Sequence, residues 1–130
     1  MNVPSELKYT RSDEWVRIET DTAGDSVAVI GITDYAQHEL GEIVYIELPE
    51  VDANLTLGVP FGVVESVKAV GELSCPLDGV VLESNVALVD EPAIVNESPY
   101  ERGWMIKVKV ADDAALSQLL DAAAYTAHRS

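Results

Sequence analysis

GVPFGVVESVKAVGELSCPL, residues 58–77, decides how this chain folds. Two apolar, β-branched runs, Gly58 to Ser66 and Val70 to Leu77, flank a short step at Lys68. Such runs, broken by a brief turn, read as the two strands of a hairpin. Lys68 stands at its tip between Val67 and Ala69, in the eight residues ESVKAVGE that run from Glu65 to Glu72. The chain has only three other lysines: Lys8 near the N-terminus, and Lys107 and Lys109 on one strand. A lysine on a stiff tip suits covalent attachment. A modifying enzyme reaches its amine from several directions, and the attached group swings while its base holds still. A turn lysine taken alone is only a solvated residue, so its neighbours must decide.

Outward from the hairpin the pattern stays mostly β. Glu14 to Thr20 alternates, with Trp15 and Val16 on opposite faces, and Asp21 to Asp25 reads as a turn. Ser26 to Ile32 reads as a buried strand. Thr33 caps a short helix over Asp34 to Leu40, which Gly41 ends. Ile43 to Leu48 is a strand stopped by Pro49, and Val80 to Glu83 follows the Asp78-Gly79 turn. Trp104 to Val110 alternates, with Lys107 and Lys109 toward solvent. After Asp112 the apolar residues Leu116, Leu119, Leu120 and Ala123 recur at helical spacing, which predicts an amphipathic helix over about 112–125. A weak repeat relates Asn54, Leu57, Pro60, Val63 and Glu65 to Asn85, Leu88, Pro92, Val95 and Glu97. It predicts two similar β-units packed face to face. The expected fold is one domain over residues 1–130, a β-sandwich or flattened barrel with short helices.

The charge narrows the function. Twenty-three Asp and Glu against eight Lys and Arg give a net charge of −15. Nucleic acid and anionic membrane both need a basic footprint, so neither is an expected partner. Basic patches on partner proteins are. No apolar run is long enough to span a membrane, and MNVPSELKYT lacks the basic and apolar regions of a signal peptide. Cys75 is the one cysteine, which excludes an internal disulfide and reads as a small buried strand residue. A reducing cytoplasm is the simplest compartment; a mature organellar protein would look the same. No GxSxG, glycine-rich phosphate loop or zinc-ligand cluster supports an enzyme. His38 reads as a helix-surface residue and His128 as part of a frayed tail.

VESVKAVGEL (64–73) resembles the lipoyl-attachment segment of the glycine cleavage system H proteins. KYTRSDEWV (8–16), GITDYAQHELGEIVYIELPEV (31–51), DEPAIVNESPYERGWMIKV (90–108) and LLDAAAY (119–125) are similar to further segments of that family, in the same order. The resemblance implies a lipoyl/biotinyl-type barrel-sandwich hybrid, with a lipoyl hairpin over about 58–77 and lipoate joined to Lys68. It implies a non-catalytic carrier of the aminomethyl group of glycine. The implied partners are a pyridoxal-phosphate-dependent glycine decarboxylase, a tetrahydrofolate-dependent aminomethyltransferase, dihydrolipoyl dehydrogenase and a lipoate-attaching enzyme. It further implies a surface cleft that shelters the loaded arm, formed here by Ser12, Glu14 and Glu72.

Three positions depart from the family pattern. Asp13 stands where His is usual and is expected to add negative charge beside Glu14. Gly71-Glu72 replaces Ser-Asp, and Ser74-Cys75-Pro76 replaces Tyr-Ala/Ser-Pro. A biotin carrier is disfavoured because methionine typically flanks its lysine on both sides, and the methionines here are Met1 and Met105. Lipoyl domains of 2-oxoacid dehydrogenases are shorter and usually carry Asp before the lysine. An H-like protein for lipoate relay or redox defence is the remaining alternative.

Overall fold

The computed structural model describes residues 1–130. The strands are β1 (Lys8–Tyr9), β2 (Glu14–Thr20), β3 (Ser26–Ile32), β4 (Ile43–Glu47), β5 (Asn54–Leu55), β6 (Pro60–Ser66), β7 (Val70–Ser74), β8 (Gly79–Ser84) and β9 (Ile106–Val110). The helices are α1 (Asp34–Leu40), α2 (Ala87–Asp90), α3 (Ile94–Glu97) and α4 (Ala122–His128). Two antiparallel sheets result. One runs β1-β2-β3-β9-β8-β5, and the other runs β4-β6-β7. This is the barrel-sandwich arrangement expected from the sequence. No helix is long and apolar enough to cross a membrane.

The main core lies between the sheets and takes Ala28, Ile30, Ile46, Val64, Leu73 and Val108 from both. A second cluster, with Tyr9, Trp15, Val29 and Tyr125 among it, covers the other face of the larger sheet. That is why SVAVIGI carries no polar alternation: β3 is buried on both faces. It is also why Glu14, Trp15 and Val16 are all buried while the far half of β2 is exposed. Gly31 pairs with Trp15, and a Cβ there would lie 2.7 Å from the indole. Glycine therefore lets the Trp15 ring cross the strand, where Nε1 donates to the Pro99 carbonyl at 2.9 Å. Fully burying an aromatic of this size stabilises the fold by about 2–3 kcal/mol.

Two expectations change. The helix over 112–125 is interrupted. Asp113–Gln118 is a 3₁₀ segment, Leu119 turns extended, and Leu120 exchanges both backbone hydrogen bonds with Tyr9, at 2.8 and 2.7 Å. Only then does Asp121 cap α4 by accepting from the Ala124 N–H. Closing the open edge of β1 outweighs the helical spacing of the leucines. The repeat is not structural either. Pro60, Val63 and Glu65 lie on β6, whereas Val95 and Glu97 lie in α3. Local bonds such as Ser98 N–H to the Ile94 carbonyl make the second copy helical.

Candidate functional site

The hairpin tip is held by a hydroxyl. The Ser66 Oγ accepts from the backbone N–H groups of Lys68 and Ala69, at 3.2 and 3.0 Å. The Ser66 N–H donates to the Ala69 carbonyl at 2.8 Å, and the Val67 N–H reaches the Glu42 carbonyl at 3.0 Å. Neither Val67 nor Lys68 has a positive φ, so this is not one of the glycine-rich primed turns common in tight hairpins. Side-chain and tertiary bonds do the work that turn geometry does elsewhere. Lys68 is exposed at the end of this braced tip.

The lysine stem crosses Gly41, where a Cβ would meet Lys68 Cε at 3.3 Å. Gly41 also takes φ 80 and ψ −154, a region open in practice to glycine alone. Asn96 fixes this crossing. Its amide donates to the Gly41 carbonyl at 2.8 Å and to the Gln37 side chain at 2.9 Å, while its Oδ1 accepts from the Ile43 N–H at 2.9 Å. Asn96→Ala leaves Ile43 and Gly41 without these partners and is expected to cost about 2 kcal/mol. Thermal unfolding and faster amide exchange at Ile43 would report it; unchanged exchange there would remove Asn96 from this role.

Beside the tip lies a cleft of about 240 Å³. Ile32, Leu40, Val64 and Leu73 give it apolar walls, and Ser12, Glu14 and Glu72 line it together. They differ in setting. Ser12 and Glu72 are exposed, but Glu14 is 2% exposed. Its Oε1 accepts from the Ser12 and Thr10 hydroxyls, each at 2.7 Å. Burial pushes the Glu14 carboxyl up to about 7, against the pull of those two hydroxyls. Asp13 raises it further, and the Ser74 amide opposes the rise.

Asp13 does not stand as a bare charge beside Glu14. It has φ 77, which Asp tolerates better than most residues. Its carboxylate pairs with Arg129, with Nε to Oδ1 at 2.8 Å, and it accepts from the Tyr125 hydroxyl at 2.7 Å. His128 is part of α4, its ring nitrogen 3.1 Å from the Arg11 carbonyl, and is not frayed. His38 is exposed on α1 and Cys75 is buried, both as expected. Thr10, Tyr35, Asn96 and Arg129 belong to the site but carry no local motif. Thr10, Tyr35 and Asn96 do sit inside segments similar to the family, whereas Arg129 lies beyond all of them.

A family model described as Glycine cleavage H-protein matches residues 7–130. A Geobacillus kaustophilus protein named Glycine cleavage system H protein is 56% identical over 127 residues, covering 98% of this chain and 96% of its own. A Staphylococcus epidermidis protein of the same name is 53% identical over 126 residues, covering 97% and 96%. The crystal structure of a glycine cleavage system H protein from Mycobacterium marinum superposes with a TM-score of 0.84 at 34% identity, over 98% of both chains.

Proposed function

The chain belongs to the glycine cleavage H-protein family, and on that premise we propose that it bears lipoate in amide linkage on Lys68. Its role is that of a non-catalytic lipoyl carrier of the glycine cleavage system. In the finer reading, it takes the aminomethyl group of glycine from the pyridoxal-phosphate-dependent decarboxylase to the tetrahydrofolate-dependent aminomethyltransferase. It then presents the reduced arm to dihydrolipoyl dehydrogenase. A lipoate-attaching enzyme modifies it first. All 130 residues act as one carrier unit, with the cytoplasm as its proposed setting.

The observation that carries this reading is the pairing of an exposed, braced Lys68 with an adjoining cleft that has apolar walls and a buried acid. Lipoate supplies a strained disulfide that opens to accept the one-carbon amine. The protein supplies position and shelter. Ile32, Leu40, Val64 and Leu73 suit an alkyl arm, and Ser12, Glu14 and Glu72 suit a cationic amine at its end. A cation brought to Glu14 favours the ionised carboxylate, so that side of the cleft gains charge as it is filled. The rest of the acidic surface favours docking to basic patches.

The test mixes the lipoylated carrier with its cognate glycine decarboxylase and carboxyl-labelled glycine. Lipoate-dependent carboxyl exchange is expected. Its absence would move the case to lipoate relay or redox defence.

A further inference from the structure

Both walls of the arm cleft are tied to the same few residues at the end of the chain. Arg129 donates to the Asp13 carboxylate and to the Arg11 carbonyl, and His128 meets that carbonyl too. These contacts hold the 11–13 turn that precedes Glu14. Tyr125, fully buried and stacked on Tyr9 with centroids 4.8 Å apart, places its hydroxyl 2.8 Å from Thr33 Oγ1. Thr33 is the cap of α1, and the Asp13 carbonyl accepts from its N–H at 3.0 Å. The Arg129 guanidinium lies 4.5 Å over the ring of Tyr35, which lines the cleft. One short helix and its C-cap residue, Arg129, thus grip the Ser12–Glu14 wall and the α1 wall together.

We propose that α4 is a clasp that sets the arm cleft, with Tyr125 and Arg129 as positioning residues acting on Glu14 through Asp13. The proposal rests on the carrier reading for its purpose, but not for its geometry. Charge gives Arg129 a second role. Around Glu14 stand Asp13 on its own turn, Glu39 of α1, Glu72 of β7 and the Cys75 thiol, with the Tyr35 phenol across the cleft. Arg129 is the cation bonded into this group. Its guanidinium fork holds the Asp13 carboxylate and offsets the repulsion that Asp13 exerts on Glu14.

The test uses the full lipoate-free chain and follows the Glu14 carboxyl by carbon-13 NMR across pH. Arg129→Gln is expected to raise the midpoint of Glu14 by about half a pH unit or more. Asp13→Asn is expected to lower it, and the double variant is expected to cancel the rise seen in Arg129→Gln. A purely structural loosening would not give opposite shifts that cancel. Should Arg129→Gln fail to fold, Asp13→Asn alone decides. An unmoved Glu14 midpoint in a folded variant overturns the proposal, as does a rise that persists in the double variant. Because no lipoate is present, failure here is distinct from failure of the carrier reading, which Lys68→Arg tests separately.

Discussion

Lys68→Arg is expected to abolish lipoate attachment outright. Intact mass of protein from lipoate-replete cells should exceed the bare chain by one lipoyl group, and that increment should vanish in the variant. Amide formation needs a neutral amine as nucleophile. Lysine reaches that state by losing a proton, whereas the guanidinium of arginine stays protonated in proteins. The change keeps the positive charge and much of the stem, so the tip bonds through Ser66, Val67 and Glu42 should persist. Loss of modification would then trace to the amine and not to a collapsed hairpin. A mass increment that survives in Lys68→Arg would place the attachment elsewhere. An unmodified wild type would sink the carrier reading.

The second large effect belongs to Glu14. Glu14→Ala should release the amine from loaded carrier at least about tenfold faster, since a charge-assisted hydrogen bond contributes roughly 1.5–3 kcal/mol. A decay rate equal to that of wild type would take Glu14 out of the cleft's chemistry. The same residue makes stability depend on pH. Its carboxyl rises in the fold from 4.5 to about 7, so the folded state holds the proton more tightly than the unfolded chain does. The stability this contributes is complete below about pH 4.5 and is lost as pH rises through about 7, on the order of 3 kcal/mol in all. Glu14→Gln keeps the shape and removes the titration. Melting temperatures across that window should fall for wild type relative to Glu14→Gln, and parallel curves would refute the assignment.

Much of the fold was legible because its signals are local. The polar gaps between β-branched runs, Thr33 as a cap and Gly41 as a stop all act within a few residues, and the structure keeps them. Ser12, Glu14 and Glu72 are singled out through family resemblance, and all three line one cleft. What stayed hidden depends on partners far along the chain. The leucines at 116, 119 and 120 have helical spacing, but Leu120 pairs with Tyr9, and no window around residue 120 contains that edge. Asp13 looked like an added negative charge because Arg129 lies 116 positions away. The burial of Glu14 was unreadable for the same reason: a glutamate in a sequence does not announce what will cover it.

The reach of α4 back to the start of the chain also orders events during synthesis. The contacts that brace the lysine tip involve residues between Gln37 and Asn96, so they can form while the last part of the chain is still inside the ribosome. The Asp13–Arg129 pair cannot, because it joins residues 116 positions apart and waits for Arg129 to emerge. On the carrier reading, a nascent chain therefore presents Lys68 before the cleft beside it is complete, and that cleft closes only once α4 and Arg129 have emerged.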